Sequence, residues 1–180
     1  MFQKLNIFTP QDLMNFFEKY LKYGFVYNKK IFTDDMPDFQ QNMDKYYKIR
    51  LGIDFINHKY GVCWDFCELE RVFFEEKKIE HECYFIESYI NKTTGGPTHT
   101  FLLYKMNNNW YWFEYSWKFL RGIWKYPSKE KALKDILSKF DEFCDKKLVD
   151  ISLYKTTKVT KRLNVYEFVK HCLNGEKVNL

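Results

Sequence analysis

Between residues 60 and 117 the spacing of apolar side chains changes from the period of a helix to that of a strand. This commits the chain to a mixed fold. Val62, Phe66, Leu69 and Phe73 recur at i, i+4, i+7 and i+11, one stripe of an amphipathic helix that runs to about Lys78. Asp65, Glu68, Arg71, Glu75 and Lys78 fall off that stripe, which predicts a solvated face carrying an Arg71–Glu75 ion pair. From Cys83 onward aromatic and β-branched residues take over. Cys83 to Ile90 reads as a strand, and Thr98–Met106 with Trp110–Trp117 reads as a hairpin joined by Asn107-Asn108-Asn109. A connection centred on Asn107-Asn108 sets Met106 opposite Asn109. His99 then faces Ser116, Phe101 faces Glu114, and His99, Phe101, Trp112, Glu114 and Ser116 share one face of the hairpin. A three-residue turn would separate His99 from Glu114.

The remaining chain supplies helices on either side. Thr9 reads as an N-cap with Pro10 and Asp12 behind it, and Leu13, Phe16, Phe17 and Tyr20 keep helical spacing until Gly24. Residues 25–39 read as irregular, with a turn at Asp34-Asp35-Met36-Pro37, and a second helical pattern covers about 40–57. Gly122 to Tyr126 is a candidate fourth strand of the sheet. Ser128 caps a helix from Lys129 to about Phe143, Leu148 to Tyr154 alternates like an edge strand, and Asn164 caps a last helix through Leu173. The order of elements predicts an α+β fold with a mainly antiparallel sheet, residues 1–180 forming a single domain.

Composition removes several classes of function. With 29 basic and 24 acidic residues interspersed, the net charge of +5 lacks the basic stripe of a nucleic-acid binder. No apolar run is long enough for a membrane span, and residues 1–6 do not read as a signal peptide, so neither a membrane nor nucleic acid is an expected partner. Five cysteines in unpaired spacings fit a reducing compartment, so the expected location is cytoplasmic, or host cytoplasm for a phage-encoded chain. Oligomeric state is left open.

The chemistry-bearing residues converge. Lys59-Tyr60-Gly61-Val62 runs directly into Cys63, which therefore sits in the first turn of its helix, where unpaired N–H groups and the helix dipole favour a thiolate. His99 is placed to take and return a proton, and Glu114 to orient the imidazole. The Cys63 N–H is a natural oxyanion donor, and Gln40 and Gln41 are candidates for a second. Trp64 and Trp117 are candidates for lining an acyl-binding cleft, and Thr94-Gly95-Gly96-Pro97 for shaping it. The bland reading makes Cys63 and Cys67 small buried hydrophobes and His99 a core histidine. A zinc site from Cys67 and Cys63 with His81 and Cys83 has looser spacing than structural zinc knuckles, so no metal is expected.

Three segments taken together, Tyr60-Gly61-Val62-Cys63-Trp64-Asp65, Thr98-His99-Thr100-Phe101 and Trp110-Tyr111-Trp112-Phe113-Glu114-Tyr115-Ser116-Trp117, resemble the transglutaminase-like branch of the papain-like cysteine enzymes. Those families share a Gly-x-Cys-x-(Asp/Glu) helix start, a strand carrying the histidine and a strand ending near Asp-Pro-Thr. Here Glu114 stands for the usual Asp and Tyr115-Ser116 for Pro-Thr; the longer carboxylate still reaches a histidine. The resemblance spans about residues 51–124. It implies a papain- or transglutaminase-like core in which the nucleophile-bearing helix packs on the sheet, with Cys63, His99 and Glu114 as the catalytic residues. It also implies attack on an amide to give a thioester, with a protein or peptide as substrate and no cofactor. Water as acceptor makes a protease, isopeptidase or deamidase, the favoured outcome; an amine acceptor makes a transglutaminase. The alternative from another class is a non-catalytic binding or inhibitor protein on the same fold.

Overall fold

The computed structural model describes residues 1–145 and 147–180. After a 3₁₀ turn at Phe2–Leu5 come α1 (Pro10–Tyr20), β1 (Lys22–Tyr23), β2 (Phe25–Tyr27), β3 (Lys30–Phe32), α2 (Phe39–Tyr46), α3 (Gly52–His58), β4 (Tyr60–Gly61) and α4 (Cys63–Glu76). Then follow β5 (His81–Tyr89), β6 (His99–Met106), β7 (Asn109–Glu114), β8 (Gly122–Tyr126), α5 (Lys129–Glu142), β9 (Asp150–Thr156), α6 (Val165–Leu173) and β10 (Glu176–Val178). Helices begin where their caps lie. Thr9 accepts from the Asp12 N–H, Ser128 from Lys131 and Asn164 from Glu167, and Asp12 and Glu167 each return a bond to the cap residue's own N–H.

The main sheet has strand order β10-β9-β5-β6-β7-β8, every neighbouring pair antiparallel. Its register is set at the β6–β7 turn. Asn107 and Asn108 both adopt positive φ, 50° and 60°, the two-residue hairpin turn whose twist matches the strands, and Met106 pairs with Asn109. Helix α4 packs on one face, where Phe66, Leu69 and Phe73 meet Leu102, Tyr104 and Phe113. Helix α5 covers the other face, where Ala132, Leu133 and Ile136 meet Phe101, Leu103 and Trp112.

Four expectations are corrected. The polar side of α4 is solvated only towards its end, at Glu75 and Lys78: Asp65, Glu68 and Arg71 are all buried. Arg71 pairs with Glu68 at 3.3 Å and donates to Thr156 Oγ1 at 3.1 Å, while Glu75 pairs with Lys158 instead. The helix is covered by the sheet below and by α3, β4 and the chain after β9, so its polar residues meet partners rather than water. The helical pattern at 40–57 breaks into α2 and α3 because Tyr47 and Ile49 turn into the core in extended backbone and Gly52 takes φ +50°. The segment read as irregular holds the β2–β3 hairpin, turned by Asn28 and Lys29 at positive φ. Strand β9 is not an edge, since β10 pairs along it.

Candidate active site

Three elements deliver three side chains to one end of the sheet. Cys63 is the first residue of α4, and its approach is locked from both sides. Tyr23 lies beside Gly61 in the parallel β1–β4 ladder, and Gly24 N–H donates to Gly61 O at 2.9 Å. Asp65, two residues into the helix, accepts from Val62 N–H at 2.7 Å, from Arg50 N–H at 2.7 Å and from the Tyr47 hydroxyl. Gly61 is required here by space: a Cβ would stand 2.5 Å from Phe55 and 2.7 Å from the Asp65 Cβ.

His99 opens β6 and Glu114 closes β7, so the hairpin register brings them together. His99 Nε2 and Glu114 Oε2 are 2.7 Å apart, with the residues 8% and 2% exposed. The second carboxylate oxygen accepts from Trp117 N–H at 2.7 Å, so Glu114 is held at both ends. Nε2 is engaged by Glu114, and the Cys63 side chain lies near enough to the imidazole to raise its proton affinity. Burial alone would push the imidazole down. The Glu114 charge, with the neighbouring Cys63 side chain and the hydrogen bond that the imidazole donates to Glu114, outweighs it and holds His99 up at about 10. The ring of Trp117 stands edge-on to His99 at 5.4 Å between centroids.

A cleft of about 800 Å³ opens beside His99. Tyr23, Gln40, Trp117 and Phe119 line it, with Gly95, Gly96 and Pro97 at one wall and Asp34 and Asp35 at another. The Gly-Gly-Pro loop is drawn in by Ser88, whose backbone O accepts from Gly96 N–H at 2.7 Å and whose hydroxyl donates to Pro97 O at 2.7 Å.

Cys63, His99 and Glu114 are thus together, and Trp117 is at the cleft. Trp64 is not: it is 2% exposed and stacks on Phe168 at 4.3 Å in the core, because the helix turns it away from the cleft. Gln41 faces solvent outside the cleft lining, and the Gln40 amide donates to Asp44 at 2.8 Å. Cys67 and Cys83 are buried in contact with each other, and among the described residues no group of three or more His, Cys, Asp or Glu stands arranged for a metal ion.

Two further groups escaped the sequence reading. Glu70 is 3% exposed, and burial followed by the Glu114 charge pushes its carboxyl well above the usual range. It lies seven residues after Cys63, on the same helical face, a signal that was available. Tyr23 gave none, since its place depends on a ladder between segments far apart in sequence.

No family model, no curated protein and no solved structure matches the chain. Among the described residues no helix is long and apolar enough to cross a membrane.

Proposed function

We propose that this protein is a thiol-dependent acyl-transfer enzyme of the transglutaminase-like kind, hydrolysing a peptide, isopeptide or side-chain amide bond through a thioester on Cys63. One observation carries the reading: a buried imidazole bound to a carboxylate at 2.7 Å through one nitrogen, with a helix-start cysteine beside it. The packing of α4 across β5 and β6 supports the papain- or transglutaminase-like core that belongs to the same proposal.

The chemistry follows from the roles. The Cys63 sulfur, paired with the charged imidazole, attacks the amide carbon, and the carbonyl electrons move onto oxygen beside the Cys63 N–H. As the tetrahedral species collapses, the C–N bond breaks and His99 gives its proton to the leaving nitrogen. Water then loses a proton to His99 as it adds to the thioester, and the C–S bond breaks to release the acid and regenerate the pair. Glu114 keeps the imidazole in one tautomer and stabilises its charge throughout.

The test is the pH dependence of iodoacetamide labelling, located by mass spectrometry, in wild type and His99→Ala. The expected result is rapid labelling of Cys63 well below the pH range of free thiols, lost in the variant. Labelling of Cys63 no faster than of the half-buried Cys144, and unchanged in His99→Ala, overturns the proposal and points to the binding-protein alternative.

A further inference from the structure

An oxyanion needs more than one donor, and Cys63 supplies only its own N–H. As the first residue of α4 it has no intrahelical acceptor for that group. Beside it stands Tyr23, paired with Gly61 in the β1–β4 ladder and packed on the cluster that holds Val62 and Cys63, its phenol close enough to the Cys63 N–H for the two to interact. A phenol there is beside the place where the oxygen of a tetrahedral intermediate on Cys63 would bind.

Tyr23 is built into this place. Its strand is bound by Lys22 N–H to Lys59 O at 2.8 Å and Gly24 N–H to Gly61 O at 2.9 Å, so β1 is tied to the segment that turns into α4. Its ring packs beside Phe39 at 6.3 Å and among the cluster that includes Val62 and Cys63. It lines the cleft together with His99. Gln40 and Gln41 do not compete for the role: one has its amide on Asp44 and the other lies outside the cleft.

We propose that the Tyr23 hydroxyl is the second oxyanion donor of the Cys63 site, an inference that rests on the acyl-transfer reading above. In the free enzyme the phenol stands beside the Cys63 N–H. When a substrate carbonyl enters, its oxygen takes the N–H, and the phenol turns its O–H onto the same oxygen. Burial, then the neighbouring Cys63 and Asp34 charges, push the phenol well above its ordinary 10, so the proton it must donate stays in place.

The experiment compares two reactions of Cys63 in wild type, Tyr23→Phe and Tyr166→Phe, the last an exposed tyrosine on α6 outside the cleft lining. Acylation by p-nitrophenyl acetate passes through a tetrahedral oxyanion; alkylation by iodoacetamide is a direct displacement at carbon and forms none. Tyr23→Phe is expected to slow acylation by on the order of 10²-fold while leaving alkylation within about two-fold, and Tyr166→Phe to leave both unchanged. A thermal melt checks that Tyr23→Phe remains folded. Acylation unchanged or faster in Tyr23→Phe, or slowed to the same degree in Tyr166→Phe, overturns the inference while leaving the Cys–His couple intact. Equal slowing of both reactions in Tyr23→Phe also overturns it, since the phenol would then act on the thiol itself. Absence of Cys63 reactivity towards both reagents in wild type instead removes the reading on which the inference rests.

Discussion

Replacing Glu114 with glutamine removes a charge but almost no volume, so its consequences can be worked from the site. The carboxylate faces two N–H groups, His99 Nε2–H at 2.7 Å and Trp117 N–H at 2.7 Å, one on each oxygen. An amide has one acceptor oxygen and one donor nitrogen, so it cannot serve both. Keeping the oxygen on Trp117 turns the NH₂ towards His99, which must then present a bare Nε2 and carry its proton on Nδ1, the one nitrogen left to serve as base. The base is blocked by its own proton. The charged state suffers as well. The distance between about 10 and the ordinary 6.5 corresponds to roughly 5 kcal/mol, at about 1.4 kcal/mol per tenfold change in proton affinity. Burial works against the imidazolium, and Glu114, the largest of the groups that raise it, shares that gain with Cys63, so without the carboxylate His99 should titrate well below its wild-type value. Nitrogen-15 spectra of histidine-labelled protein read this directly, since the chain has 4 histidines and His99→Gln assigns the signal. At about pH 8, between the two values, wild-type His99 should be charged and the Glu114→Gln imidazole neutral with its proton on Nδ1. Acylation of Cys63 should fall by on the order of 10⁴-fold, the effect of the same exchange in a serine-protease triad. A wild-type His99 that loses its proton near pH 6.5, or a variant that stays charged, would refute the reasoning.

Asp65 gives a pH test of stability. Burial outweighs its bonds from Tyr47, Arg50 and Val62 and pushes the carboxyl up to about 6 from an ordinary 3.8. The folded chain thus binds this proton more tightly than the unfolded chain, so its contribution is full below about 3.8 and lost as pH rises through about 6, a change on the order of 3 kcal/mol. Asp65→Asn abolishes that slope and orphans one of the two backbone N–H groups, for about 1–3 kcal/mol. Urea denaturation should show the wild-type advantage over the variant shrinking between those two pH values, and a constant difference would contradict it. Gly61→Ala places a methyl 2.5 Å from Phe55 and 2.7 Å from the Asp65 Cβ. It should destabilise by about 1–3 kcal/mol and slow Cys63 alkylation. Gly95→Ala, with nothing within 4 Å, is the control for stability; equal melting temperatures for the two variants would argue against the packing account.

Much of the site could be read in advance because its parts are local. The Asn107-Asn108 pair tolerates the positive φ that a two-residue hairpin requires, and that turn alone fixes which residues of β6 and β7 share a face. Cys63 at a helix start was equally legible, since Gly61 and the apolar stripe mark the boundary. The caps at Thr9, Ser128 and Asn164 stand where short-range chemistry puts them. The failures concern what lies opposite. Periodicity shows that Asp65, Glu68 and Arg71 differ from the apolar stripe. It does not show that Tyr47, Val159 and Thr156 wait across from them, so buried partners were mistaken for solvent. Strand β10 covers β9 with three residues and no alternation long enough to register. Trp64 and Trp117 look alike in sequence, and only the direction of the backbone sends one to Phe168 and the other to His99.

The sequence by itself determined most of the helices and the central strands, the hairpin register and the pairing of His99 with Glu114. Each follows from backbone propensity and spacing within a few residues. Only the tertiary structure decided how strongly those side chains are desolvated, which polar groups of α4 are satisfied, and that Tyr23 packs beside Cys63 at the cleft. Those properties depend on contacts between segments tens of residues apart, which excluded volume and burial select and local spacing does not encode.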